Sequence, residues 1–236
     1  MPKALTSWFA RAVDALLPAA CLLCRREAGV RLCADCARHL GANGSACARC
    51  AQPLPQPAPL CGHCLQKTPA FDASWAALRY EAPLDGLIQR LKFAEGLAAI
   101  PALRPQWSQA YRSALTQRAS PPPEALVPIP LHASRLRQRG YNQALELARA
   151  LAADLALPVL DHALQRTRAT AAQPGLDREA RWRNVRGAFR AEAPLPARIA
   201  LIDDVMTTGA TLDAAARALK AAGVQWVEAV VLARRP

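Results

Sequence analysis

Residues 199–219 constrain the fold of this chain more than any other stretch. Ile199, Ala200, Leu201 and Ile202 form an unbroken apolar run, the pattern of a strand buried on both faces of a parallel sheet. Asp203 and Asp204 follow as adjacent carboxylates. Val205, Met206, Thr207, Thr208, Gly209, Ala210 and Thr211 then read as a loop rich in small and hydroxyl residues. Leu212, Ala215, Ala216 and Leu219 recur at helical spacing. Strand, acidic pair, loop and helix in this order make an anion site at a helix N-terminus, where unpaired N–H groups and the helix dipole favour a phosphate. Gly209 lets the backbone approach that anion closely. Two carboxylates ahead of the cradle repel a second phosphate. They accept hydrogen bonds from a sugar diol or hold a divalent cation instead. A ligand with a phosphate beside a ribose diol satisfies both halves. An ordinary strand-turn-helix with solvated Asp residues is the weaker reading, because the pattern is long and ordered.

The cysteines define a second region. All eight form Cys-x-x-Cys pairs: Cys21 and Cys24, Cys33 and Cys36, Cys47 and Cys50, Cys61 and Cys64. Each pair offers two thiolates from one tight turn, and two pairs close a tetrahedral site. The block therefore reads as two structural Zn²⁺ sites in a reducing compartment, not as a disulfide framework. Sequential pairing puts Cys21, Cys24, Cys33 and Cys36 on one ion and Cys47, Cys50, Cys61 and Cys64 on the other; interleaved pairing is also open. His39 and His63 are surface residues on this reading, since the cysteines saturate both sites. So short a block buries little core, and metal must hold it together.

Net charge is +12, and only Lys3, Lys67, Lys92 and Lys220 among the 30 basic residues are not Arg. Arg suits bidentate phosphate contacts, so an anionic partner is expected: a diphosphate, nucleic acid, or both. Solvated Arg is the better reading for most individual positions. No apolar run approaches the ~18 residues of a membrane span. Leu5, Trp8, Phe9, Ala12, Val13, Leu16 and Leu17 predict an amphipathic helix within residues 1–20. Arg11 and Asp14 interrupt the apolar core that a signal peptide needs. The expected location is cytoplasmic.

Domain organisation follows: an N-terminal helix over 1–20, the cysteine module over 21–66, and an α/β domain over 70–236. Within the last, residues 75–80 predict a strand. A helix runs from Leu84 to near Gly96, and another from Leu97 to Arg118. A strand covers residues 125–130, and short strands are expected at Val159 and Leu160 and at Ala163 and Leu164. Arg135, Arg137 and Arg139 read as a basic loop between a strand and a helix that begins near Ala144. Such loops are where an α/β sheet receives ligands, and this one can neutralise a diphosphate. Residues 166–176 lack periodicity and are expected to be mobile. A helix carrying Arg178, Arg181, Arg183 and Arg186 follows, then a last strand over residues 225–232 and a frayed tail at Arg234 to Pro236.

Residues 199–211 resemble the phosphoribosyl-diphosphate (PRPP) motif of type I phosphoribosyltransferases. That resemblance assigns the ribose hydroxyls to Asp203 and Asp204 and the 5′-phosphate to Val205, Met206, Thr207, Thr208, Gly209, Ala210 and Thr211. Purine-salvage members carry Asp where this chain has Thr207, which argues against a purine acceptor. The wider set of motifs resembles the ComF family. It comprises the four Cys-x-x-Cys pairs, residues 91–93, 127–130, 139–143, 168–173 and 183–189, and the Asp203–Asp204 loop. The resemblance implies a double zinc ribbon ahead of a type I phosphoribosyltransferase fold, PRPP with Mg²⁺ as ligand, and a link to natural competence and single-stranded DNA.

Three functions are open at this level. A phosphoribosyltransferase uses Asp203 and Asp204 as its catalytic pair, the loop for phosphate, and Arg135, Arg137 and Arg139 for the leaving diphosphate. A PRPP-sensing or catalytically lapsed module binds single-stranded DNA instead, with Trp75, Trp182, Tyr141 or Phe189 for stacking. An adaptor uses the ribbons to dock a competence helicase or another DNA-uptake protein.

Overall fold

The computed structural model describes residues 19–91, 94–118, 120–169 and 178–236. Residues 1–18 of the expected N-terminal helix, Lys92 and Phe93 of the second motif, and most of the aperiodic 166–176 segment lie outside the described residues; Ala20, at the end of that expected helix, bridges Glu27 instead.

Four strands form a parallel sheet in the order β1 (Ala73–Arg79), β6 (Trp226–Arg234), β5 (Arg198–Met206), β2 (Ala125–Pro128). The apolar runs at 199–202 and 229–233 are fully buried, as a parallel strand covered on both faces requires. Alternate residues feed two cores. Ala200, Ile202, Val230 and Leu232 pack against α4 (Ala99–Gln117) and α6 (Gln143–Leu155). Ile199, Leu201, Ala229 and Val231 pack under α8 (Ala210–Ala221). The remaining helices are α1 (Ala34–Arg38), α2 (Gly62–Gln66), α3 (Leu84–Arg90), α5 (Ala133–Arg139) and α7 (Arg178–Val185). A separate antiparallel pair, β3 (Leu164–Arg166) and β4 (Phe189–Ala191), lies beside α8. No helix among the described residues is long and apolar enough to cross a membrane.

The connections locate the ligand crevice. The chain leaving β2 passes to α6 on one face, and the chain leaving β5 passes to α8 on the other. Neighbouring strands that send their chains to opposite faces open a cleft at their C-terminal ends. The acidic pair sits at that end of β5.

The cysteine module is joined to the sheet by backbone hydrogen bonds. Asn43 N–H donates to Ala77 O at 3.0 Å, Arg79 N–H to Gly41 O at 2.8 Å, and Ser74 N–H to Ala48 O at 3.0 Å. Residues 41–48 thereby cover the edge of β1, which would otherwise present unpaired donors and acceptors. Cys21 belongs to the same apolar cluster as Leu78 and Leu84. The segment between module and sheet is clamped too. Ala70 N–H donates to Asp213 Oδ1 at 2.7 Å, and Asp72 Oδ2 accepts from Val227 N–H at 2.8 Å and from Lys220 Nζ at 2.7 Å.

Several sequence expectations need correction. The basic loop is the helix α5: His132 caps its start by accepting from Ser134 N–H, and Gly140 ends it at φ 82°. Caps at both ends made a helix of what reads as an irregular stretch. Val205 and Met206 belong to strand β5, paired with Ala233 and Arg234, and not to the loop. Val159 makes only an isolated bridge to Leu126. The helix from Leu84 stops at Arg90, and Ala94–Ala98 forms a 3₁₀ turn before α4. Arg234 is not frayed: it is 7% exposed and fully hydrogen-bonded, as described below.

Candidate functional site

The sequence places the site at the end of β5, and the local structure explains its form. Asp203 and Asp204 still lie on the strand, with Asp203 opposite Val231. Asp204 N–H donates to Asp203 Oδ1 at 2.9 Å, and Val205 N–H donates to Asp204 Oδ1 at 2.9 Å. These short side-chain-to-backbone bonds hold the carboxylates in place. Burial pushes the Asp203 carboxyl well above the usual carboxylate range, and the Asp204 charge adds to this. The Asp204 N–H and the Arg166 guanidinium pull the other way.

Thr207 and Thr208 turn the chain into α8. Gly209 occupies the cap position at φ 77°, a left-handed conformation that strains any residue with a Cβ. Ala210 N–H donates to Thr208 Oγ1 at 3.4 Å, and Asp213 N–H makes the first helical bond, to Gly209 O at 2.9 Å. The first-turn N–H groups of a 12-residue helix are thus aimed at the mouth of the crevice, beside the acidic pair.

Across the crevice stands the segment from Arg139 to Gln143, in which every residue has an identifiable task. Arg139 is half-buried and feels the Asp204 and Asp203 charges; burial lowers its pKa, as does Arg135, while the acids oppose the drop. Gly140 ends α5. Tyr141 Oη donates to Leu91 O, which ties the segment to the end of α3. Asn142 donates to Ile129 O at 3.1 Å and accepts from Ala144 N–H at 3.1 Å, capping α6. Gln143 accepts from Arg139. Arg135 and Arg139 are four residues apart on α5 and share a face, whereas Arg137 is exposed on another face. The structure therefore brings Arg135 and Arg139 to the crevice and leaves Arg137 out of it.

Arg166, at the end of β3, joins this group. It lies over the Phe189 ring at 5.4 Å, interacts electrostatically with Asp203 and Arg135, and has its pKa lowered by burial. A cavity of about 190 Å³ is lined by His132, Ser134, Arg135, Gln138, Arg166 and Ala169. In sequence, Arg166 marked only the start of an aperiodic segment. The signal was its place two residues after the buried pair Ala163 and Leu164, at a strand end. Arg168 donates to Asn184 O at 3.0 Å and Arg186 O at 2.8 Å, which fastens this segment to the end of α7.

Of the aromatic candidates, Trp75 packs on Tyr111 with centroids 5.0 Å apart, Tyr141 is committed to Leu91, and Phe189 is buried. Trp182 is half-buried with Lys67 Nζ 5.2 Å from its ring centroid.

The eight thiols gather into two groups in chain order. The Sγ atoms of Cys21, Cys24, Cys33 and Cys36 lie within 4.8 Å of one another, as do those of Cys47, Cys50, Cys61 and Cys64. Cys24 and Cys33 are 3.8 Å apart, and Cys50 and Cys61 are 3.6 Å apart. Zn–S bonds of about 2.3 Å in a tetrahedron require about 3.75 Å between sulfurs, so both groups fit Zn²⁺. Crowding splits the thiols. Burial pushes Cys36 up to about 12, with Cys33, Cys24 and Cys21 adding. Cys21 is lowered to about 6, because backbone N–H groups, led by that of Cys33, outweigh its burial. A divalent cation removes this conflict by favouring four thiolates together. His39 and His63 are exposed and outside both groups.

Fold and sites together define a protein of the phosphoribosyltransferase class with an N-terminal double zinc ribbon. Residues 137–236 match the family described as phosphoribosyl transferase domain, and residues 12–65 match the double zinc ribbon domain. Competence protein F of Haemophilus influenzae is 36% identical over 171 residues, covering 70% of this chain and 74% of that protein. DNA utilization protein YhgH is 33% identical in Salmonella typhi and 32% in Escherichia coli, each over 222 residues, 92% of this chain and 98% of theirs. The chain belongs to the ComF family.

Proposed function

We propose that this protein binds PRPP with Mg²⁺ in the crevice between the ends of β2 and β5 and transfers the phosphoribosyl group to an acceptor. The observation that carries this reading is the adjacency of three elements: the Asp203–Asp204 pair, the Gly209-capped start of α8, and the guanidinium groups of Arg135, Arg139 and Arg166. Asp203 and Asp204 accept hydrogen bonds from the ribose 2′- and 3′-hydroxyls. Backbone N–H groups from Thr207 to Thr211 and the helix dipole hold the 5′-phosphate. The arginines face the diphosphate and stabilise the charge that grows as its bond to C1 breaks. C1 then bonds to the acceptor, whose proton passes to solvent. Mg²⁺ supplies further charge neutralisation on the diphosphate when it enters with PRPP. The acidic pair, with its hard oxygen donors, suits such a cation.

Calorimetric titration of PRPP with Mg²⁺ tests the reading. Zinc-loaded wild type is expected to bind. The Asp203→Ala/Asp204→Ala variant is expected to lose at least tenfold in affinity, since each charged hydrogen bond contributes ~1.5–3 kcal/mol. Absence of heat with folded wild type would overturn it.

A second reading has its own support. The relatives are named for competence and for DNA utilization. Trp182 and Lys67 also stand together beside Thr208, along a crevice that Arg217 and Arg234 line. Here single-stranded DNA is the partner, in the setting of DNA uptake. Binding that weakens steeply with salt and with Trp182→Ala is the expected signature.

A further inference from the structure

The second zinc group and the phosphate loop are joined through one buried side chain. Arg234 ends strand β6, and its guanidinium is directed across the sheet end, not into solvent. Its Nε donates to Cys50 O at 2.9 Å, and its Nη2 donates to Gln52 Oε1 at 2.7 Å. Its Nη1 donates to Met206 O at 3.0 Å, to Thr207 O at 2.6 Å and to Arg235 O. One planar fork thus holds the backbone of a metal-ligating cysteine on one side. On the other it holds the two residues that lead into the anion loop. Phe71 completes the joint: its carbonyl accepts from Arg49 Nη1 at 3.1 Å, and its ring packs beneath Gly209. The first cysteine group has no such link among the described residues; Cys21 instead lies in the core beside Leu78 and Leu84.

We propose that Arg234 is a positioning residue for the anion loop, and that closure of the Cys47, Cys50, Cys61 and Cys64 site fixes the loop's backbone through it. The physical reason is geometric. The carbonyl that Arg234 grips belongs to Cys50, whose thiolate is a zinc ligand, so the knuckle's conformation and the carbonyl's position change together. Loss of the ion frees Cys50. Arg234 then loses its anchor on that side, and Met206 and Thr207 lose the fixed donor that sets their carbonyls. Lys cannot replace Arg here, because a single ammonium cannot reach both sides in one plane. The consequence for ligand binding rests on the phosphoribosyl reading; the coupling itself does not.

The test is amide hydrogen exchange of Ala210 and Asp213, whose N–H groups close the loop onto Thr208 Oγ1 and Gly209 O, without ligand, with β6 residues 227–232 as the control for global folding. Zinc is withdrawn with a chelator, and maleimide labelling identifies which four cysteines have been freed. Loss of zinc from the second group is expected to speed loop exchange about tenfold or more, the loss of at least one charge-assisted bond, while 227–232 stay protected. Arg234→Gln and Arg234→Lys are expected to show the fast loop with both ions bound. Freeing only Cys21, Cys24, Cys33 and Cys36 is expected to leave the loop slow. A loop as protected in either variant as in wild type overturns the proposal. So does a loop unaffected by loss of the second ion with β6 intact. If chelation also exposes β6, the two zinc-loaded variants decide alone. PRPP titration of the same samples separates the questions: a wild type that binds none overturns the phosphoribosyl reading, while the exchange result still settles the coupling.

Discussion

Asp203 carries the clearest energetic conflict in the chain. Its carboxyl is half-buried beside Asp204, and desolvation with the Asp204 charge raises its pKa well above that of the unfolded chain, about 3.9. Between that unfolded value and the raised folded one, the folded state binds more protons, and stability falls as pH rises. Asp203→Asn keeps the shape and removes the conflict. The variant is expected to unfold at higher urea than wild type at pH 7, with the difference closing as pH approaches 4. An equal or lower midpoint at pH 7 would show that the pair is not strained in the free protein. On the phosphoribosyl reading, the same strain suits a pair that receives hydroxyl donors and a cation from its ligand.

At the scale of elements, α4 is pinned to the sheet by a buried charged cluster far from the crevice. Tyr111 Oη donates to Glu228 Oε2 at 2.9 Å, and Arg118 meets both Glu228 oxygens, through Nη2 at 2.9 Å and through Nη1. Glu228 is 1% exposed on β6, so its oxygens depend on these donors in place of water. Arg118→Met is expected to cost ~3–5 kcal/mol in chemical denaturation, because it strands a buried carboxylate. Adding Glu228→Leu is expected to recover most of the loss. A small cost for the single variant would mean that Glu228 finds another donor or reaches water. On the phosphoribosyl reading, PRPP affinity should be unchanged in the folded double variant, since the cluster touches none of the crevice residues.

At the scale of the whole molecule, the ribbons and the sheet are one folded unit. The ribbon backbone covers the β1 edge, and Cys21 shares the core with Leu78 and Leu84. Removing both zinc ions should therefore destabilise the sheet as well as the ribbons. Unfolding shifts by ~2–4 °C per kcal/mol in a chain of this size, so loss of even a few kcal/mol lowers the thermal midpoint by ~10 °C. Calorimetry of metal-free and reloaded protein checks this, and an unchanged main transition would show the ribbons to be independent.

The sequence by itself determined the local chemistry. Residues 199–211 spelled out strand, acids and glycine-capped helix, because burial on both faces and helix capping each demand particular residue types at adjacent positions. The Cys-x-x-Cys pairs named the zinc ligands for the same reason. What required the tertiary structure was everything set by distance in space. Sequential pairing of the thiols depended on which knuckles pack together. Arg137 was separated from Arg135 and Arg139 only once α5 was seen to be a helix with Gly140 at its end. Arg166 and Arg234 reach their partners across 37 and 184 residues of chain respectively. A guanidinium at a strand end carries no mark of the carbonyls or carboxylates that await it, since those are brought there by the packing of sheet, helix and ribbon and not by any neighbour in the chain.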